Sequence, residues 1–153
     1  MKAPGVPQDS LKRAVHDHWN AIPCGTRDFA KDDRLRFFRE LEAERYALEP
    51  HIPRFARFER ARGKRLLEVG VGAGTDFVNW VRAGAVATGI DLTEQGIALT
   101  RERLDLEGLS AELQVADAEA LPFPDATFDI VYSYGVLHHS PDTAKAIREV
   151  HRV

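Results

Sequence analysis

The chain has 153 residues, 44% hydrophobic and 29% charged, the balance of an ordinary globular domain. No apolar run approaches the roughly 20 residues of a transmembrane helix, and the opening MKAPGVPQDSLKRAV lacks a signal peptide's apolar core; a cytoplasmic protein without a membrane partner is expected. The net charge is −3, with 14 Lys+Arg against 10 Asp+Glu in residues 1–64 and 7 against 14 in the rest; acids interleave with the bases, so nucleic acid is not an expected partner.

Residues 1–9, with two prolines, a glycine and few apolar groups, read as a disordered N-terminus. Residues 10–63 read as a helical cap. Ser10 is placed to N-cap a short helix ending near Trp19, and Asn20 to Thr26 has turn chemistry. Cys24 in that turn is the only cysteine, which excludes an internal disulfide; no Cys/His spacing suggests a zinc site, and no metal is expected. A second helix is expected from about Asp32 to Leu48, with Phe37, Leu41 and Leu48 on one face. Pro50 and Pro53 interrupt it, and a further helix carries Phe55 and Phe58 towards Gly63.

From Lys64 the pattern changes to strand–turn–helix units, and residues 64–153 read as one α/β unit. Strands are expected at Arg65–Val69, Ala85–Ile90, Ala111–Val115 and Phe128–Tyr132. Helices are expected at Thr75–Arg82, from the N-cap Thr93 to about Glu107, and at Pro141–Val153. This alternation predicts right-handed crossovers and a Rossmann-like, doubly wound parallel sheet.

Four segments carry chemistry. In Glu68-Val69-Gly70-Val71-Gly72-Ala73-Gly74-Thr75 three glycines follow the first strand, where the backbone must turn tightly and let a ligand approach. Threonine at 75 replaces the third glycine of a pyrophosphate-binding turn. Asp91 ends the second strand, 21 residues beyond Gly70, where a carboxylate can accept from both hydroxyls of a ribose. It can equally serve as a helix N-terminal charge. Asp117 follows the third strand and can accept from an adenine amino group, with the Ala118 N–H donating to a ring nitrogen and Leu121 and Phe123 offering apolar surface. Phe128 to His139 delivers the fourth strand and its loop to the same sheet edge.

Together, Leu-Leu-Glu-Val-Gly-Val-Gly-Ala-Gly, Gly-Ile-Asp-Leu-Thr, Ala-Asp-Ala-Glu-Ala-Leu-Pro-Phe-Pro-Asp and Phe-Asp-Ile-Val-Tyr-Ser-Tyr-Gly-Val-Leu-His-His resemble successive motifs of class I S-adenosylmethionine-dependent methyltransferases. The likeness is to the small-molecule subset of the ubiquinone/menaquinone type and covers residues 64–153. It implies transfer of a methyl group from S-adenosyl-L-methionine to a small-molecule acceptor. Gly70, Gly72 and Gly74 would lie against the methionine portion, with Glu68 beneath. Asp91 would hold the ribose, Asp117 and Ala118 the adenine, Ser133 would lie beside the sulfonium, and Leu92 would also belong to the cofactor site. The family's sheet has seven strands in the order 3-2-1-4-5-7-6. The chain is therefore expected to be C-terminally truncated, with Phe128–Tyr132 left as an apolar edge through which copies self-associate.

No catalytic residue is assigned. His138 or His139 could take a proton from a nucleophile, or simply bond backbone or water. Cys24 has no identifiable base. Trp19 and Tyr46 could close over the cofactor or pack in a core. Two rival readings are a non-catalytic cofactor-binding protein or truncated remnant, and an NAD-dependent oxidoreductase, which shares Asp91 but lacks the pyrophosphate turn.

Overall fold

A computed structural model describes residues 8–22 and 33–153. Cys24 and most of the disordered N-terminus expected for residues 1–9 lie outside the described residues. Helix α1 spans Gln8–Ala21; it starts two residues before Ser10, which lies inside it and does not cap it. Helix α2 spans Arg34–Leu48 and is capped by Asp33, whose carboxylate accepts the Arg36 N–H at 3.0 Å. Phe37, Phe38 and Leu41 on α2 are buried. Leu48 was expected on the same face but is 74% exposed: the last turn of α2 outruns its packing partners and stands at the rim of a cavity.

Pro50 precedes α3, His51–Ala56, and Pro53 falls in its first turn, where a missing N–H breaks no helical bond. The expected single helix through Phe58 is broken at Arg57, whose φ of 53° reverses the chain into a short 3₁₀ turn, Phe58–Ala61. That break separates the two aromatics. Phe58 stacks edge-on against Trp80 at 4.5 Å, whereas Phe55 is 74% exposed.

Strand β1 is Arg65–Val69, followed by α4 (Phe77–Arg82), β2 (Val86–Asp91), α5 (Glu94–Leu106), β3 (Glu112–Val115), β4 (Ile130–Tyr132) and α6 (Thr143–Arg152). The sheet order is β3-β2-β1-β4, with every pair parallel. Helix α4 starts at Phe77 instead of Thr75 because residues 72–76 are spent in turns. Strand β4 is shorter than expected. Phe128 leaves the ladder to pack on Phe123 at 5.0 Å and to donate its N–H to Val153 O at 2.9 Å. Asp129 extends the pairing through its side chain, accepting the Arg65 N–H at 2.8 Å. Thr93 caps α5, its hydroxyl accepting the Gly96 N–H at 3.1 Å.

The strand alternation of β1 divides the core. Leu66 faces a cluster with Phe77, Val78, Trp80, Ala87, Ile97 and Leu104 on one side of the sheet. Leu67 and Val69 face Ile90, Leu121 and Val153 on the other. Both leucines are fully buried, each contributing about 1.5–3 kcal/mol relative to exposure. A third cluster joins Phe37, Phe38 and Leu41 of α2 to Ala73 and Leu99, so the helical cap shares a core with the α/β part. Among the described residues no helix is long and apolar enough to cross a membrane.

Candidate ligand-binding site

Above the carboxyl ends of β1, β2 and β3 lies a cavity of about 530 Å³, at the edge where open α/β sheets take their ligands. Its floor is the turn after β1. Gly70 has φ 85°, and a Cβ there would stand 2.3 Å from Val136 Cγ2, so only glycine fits. The Gly70 and Val71 N–H groups donate to Ile90 O at 2.8 and 3.1 Å, fixing the turn against the end of β2.

Asp91 completes that turn. Its Oδ2 accepts the Gly72 N–H at 2.9 Å, and its Oδ1 accepts the Thr93 N–H at 2.9 Å and the Thr93 hydroxyl at 2.7 Å. Gly96 makes room for it, since a Cβ there would lie 2.7 Å from Asp91 Cγ. Three acceptor positions of the carboxylate are thus used and one is left to a ligand. Asp117 has Oδ1 bonded to the Glu119 N–H at 2.9 Å and Oδ2 to Lys12 Nζ at 2.6 Å. The adjoining Ala118 N–H has no acceptor among the described residues.

Glu68 is 4% exposed and its Oε2 has no hydrogen-bond partner. Burial first, and then the charge of Asp76, push its carboxyl well above the usual carboxylate range. Glu68, Gly70, Gly72, Asp91, Leu92, Asp117 and Ala118 all line the cavity. Two of the expected residues do not. Gly74 faces α5, where a Cβ would lie 3.1 Å from the Thr100 side chain. The Ser133 hydroxyl is turned onto Val69 O at 2.9 Å, and the residues after it, Tyr134, Gly135 and Val136, form the wall.

Of the cap, sequence reasoning offers Trp19 as one of two readings and misses Lys12 and Val15. All three, on α1, line the cavity at helical spacing, a periodicity visible in the chain but equally consistent with packing on a core. Trp19 lies 5.1 Å from the His139 ring. His139 lines the cavity and His138 does not; burial and the neighbouring His138 and His18 lower the His139 pKa. Tyr46 is in a polar cluster beneath the turn instead. Asp76 accepts from Tyr46 Oη at 2.9 Å, Tyr132 Oη at 3.0 Å and Arg45 Nη2 at 3.2 Å. Burial and Asp76 keep both phenols protonated, far above their ordinary range. Across the cavity, Tyr134 donates to Glu49 Oε1 at 2.7 Å and has His51 Nε2 at 2.8 Å. No group of three His, Cys, Asp or Glu among the described residues is placed to hold a metal ion.

A glycine turn, two strand-end acids and an apolar-walled cavity meet at the carboxyl edge of a Rossmann-like sheet. The chain belongs to the methyltransferase-domain family, whose profile matches residues 67–153, more than half of its length. It is 39% identical to the phosphatidylethanolamine N-methyltransferase of Cereibacter sphaeroides over 102 residues, 65% of this chain and 50% of that one. It is 32% identical to the ubiquinone biosynthesis O-methyltransferase of Methylocella silvestris over 146 residues, 93% of this chain and 57% of that one. The crystal structure of the YcgJ protein of Bacillus subtilis superposes with a TM-score of 0.61 at 32% identity, covering 67% of this chain and 46% of the other. Magnesium protoporphyrin IX methyltransferase of Synechocystis PCC 6803 shares the fold, with a TM-score of 0.69 at 15% identity over 97% of this chain and 73% of that one. The chain spans roughly half the length of the curated relatives it matches. The family membership sets aside the NAD-dependent oxidoreductase.

Proposed function

We propose that this chain binds S-adenosyl-L-methionine and belongs to an enzyme that transfers its methyl group to a small-molecule acceptor. One observation carries the reading: Asp91 and Asp117, from separate strand ends, open on the same cavity as the Gly70–Gly72 turn. The donor set suits the cofactor. The last acceptor position of Asp91 is available to a ribose hydroxyl, and Asp117 with the Ala118 N–H presents an acceptor–donor pair to a purine edge. Glu68 lines the same cavity; its carboxyl has the buried Trp80 indole N–H beside it and could also accept from a ligand ammonium.

Bound there, S-adenosyl-L-methionine supplies a sulfonium-activated methyl group, so the protein's work is alignment and exclusion of water. Val136, Leu41 and Trp19 wall the cavity with apolar surface. Tyr134, Glu49 and Arg45 make the polar face opposite the strand ends, and the Arg45 guanidinium lies 5.3 Å from the Tyr134 ring. That face would orient the acceptor nucleophile. Calorimetry with S-adenosylmethionine, S-adenosylhomocysteine and NAD tests the reading. Heat is expected from both sulfur nucleosides and none from NAD; the reverse pattern ends it. The rival that deserves weight is a cofactor-binding protein without turnover, which shares every residue of the nucleoside site.

A further inference from the structure

Glu119 is a buried acid, 4% exposed, that no role above accounts for. Its Oε2 accepts from Lys12 Nζ of α1 at 2.8 Å. Its Oε1 accepts the Ser140 hydroxyl at 2.5 Å and the Asp142 N–H at 2.9 Å, both from the loop after β4. The same Lys12 donates to Asp117 Oδ2 at 2.6 Å. One carboxylate therefore ties together three segments that each contribute to the cavity wall, through Lys12, Asp117 and Ser140.

Helix α1 depends on that tie. It contributes no residue to any of the three hydrophobic clusters, so apolar burial in the core does not hold it in place. Two further polar links among the described residues are the His16–Glu94 contact at 3.0 Å and the Asn20 side chain accepting the Gln95 N–H at 3.1 Å. Both are exposed, where such contacts are weak. The Lys12 bridge is charge-assisted and reaches a buried acid, the stronger arrangement. Burial raises the Glu119 pKa, but the hydrogen bonds from Lys12, Ser140 and Asp142 outweigh it and bring it to about 2. The acid is thus charged wherever the protein is folded near neutral pH.

We propose that Glu119 is a positioning residue that holds α1 and the loop after β4 closed over the nucleoside end of the bound cofactor. This rests on the cofactor reading of the cavity. Val15 and Trp19 of α1 line the same cavity as Asp91 and Asp117, so outward movement of α1 widens the space that a ligand on those acids would fill. The Lys12–Glu119 bridge opposes that movement.

The test uses the 153-residue chain, S-adenosylhomocysteine as probe and Trp19 fluorescence as the readout of α1, with Trp19→Phe giving the constant background of core residue Trp80. Glu119→Gln keeps the side chain's shape and removes its charge; Lys12→Met removes the donor from the α1 side and leaves the core untouched. Each is expected to speed release about tenfold while changing entry far less, since such contacts act mainly on dissociation. The two changes share the Lys12–Glu119 bridge, while Lys12→Met also frees Asp117 and Glu119→Gln also weakens the bonds from Ser140 and Asp142. Release in the double variant should therefore be faster by less than the full product of the two single effects. Melting temperature is measured alongside: a purely structural Glu119 would lower it without selectively speeding release. Release within about twofold of wild type in both single variants, or effects that simply add, overturns the proposal. A wild-type chain that gives neither heat nor a fluorescence change with the probe overturns the cofactor reading itself, and this proposal with it.

Discussion

Asp91 accepts the Gly72 N–H at 2.9 Å, so the acid proposed to hold a ribose also fastens the turn that faces it. Its other oxygen secures the start of α5 through the Thr93 N–H and hydroxyl. Asp91→Ala should therefore hurt twice. Leaving the ligand hydroxyl and the Gly72 N–H unpaired costs about 1–3 kcal/mol in each process, which calorimetry with S-adenosylhomocysteine and thermal melts will read separately. Asp105→Ala, an exposed acid on α5, should change either by no more than about 0.5 kcal/mol. Equal losses in the two variants would reduce Asp91 to a helix-end charge.

A methyl group on Gly70 meets two obstacles. The positive φ of 85° costs an L-residue about 1–2 kcal/mol, and the new Cβ would overlap both Cγ atoms of Val136. Gly70→Ala is expected to lower the melting temperature and to abolish cofactor binding. Adding Val136→Ala removes the two Cγ overlaps but leaves the Cβ of residue 136 at 2.9 Å and the backbone penalty in place, so it should restore part of the stability. No restoration at all would place the defect in the backbone and the remaining Cβ contact.

The parts of this molecule legible in its sequence are those set by local pattern. Strand β1 coincides with Arg65–Val69 because its apolar run is bounded by Lys64 and Gly70. Thr93 could be read as a cap because a hydroxyl before a helical run has one obvious use. The strand-end acids were legible because topology puts every strand's carboxyl end at one edge. What stayed hidden is long-range. Lys12 meets Asp117 and Glu119 more than 100 residues away, and no periodicity encodes that meeting. Arg57 reverses the chain with an αL conformation at a residue type that rarely adopts it; the resulting exposure of Phe55 could not be foreseen. The resemblance implies Ser133 beside the sulfonium; that its hydroxyl donates to Val69 O, 64 residues away, is a further long-range meeting that no local pattern encodes.

Stability should depend on pH through two acids of opposite sign. Glu68 has a folded pKa raised above its ordinary 4.5, first by burial and then by Asp76. The native state holds that proton more tightly than the unfolded chain, so stability falls as pH rises from about 4.5 through the raised value. Glu68→Gln removes this loss, and its advantage over wild type should grow between pH 5 and pH 8 in urea unfolding. A difference that stays constant with pH would show that Glu68 is not taking up a proton on folding. Glu119 behaves in reverse. Its folded value of about 2 gives stability that is present above about 4.5 and lost as pH falls towards 2, and Glu119→Gln should flatten that acid limb.

The two edges of the sheet are built differently, and this predicts how the 153-residue chain behaves at high concentration. Strand β3 ends the sheet on one side with Glu112, Gln114 and, at its last position, Val115 exposed along it; the two polar groups discourage pairing with another chain. Strand β4 ends the other side. Among the described residues it pairs only with β1, and it presents Ile130 and Val131, both partly buried and neither charged. An apolar strand with one free edge is a template for a further strand. Reversible self-association through β4 is therefore expected, with scattering mass rising with concentration. Hydrogen exchange identifies the surface: the β4 amides should gain protection as copies associate, while those of β3 should not. A monomer at every concentration, with β4 exchange independent of dilution, would refute this. Equal protection of both edges would refute it too, because the association would then owe nothing to the apolar character of Ile130 and Val131.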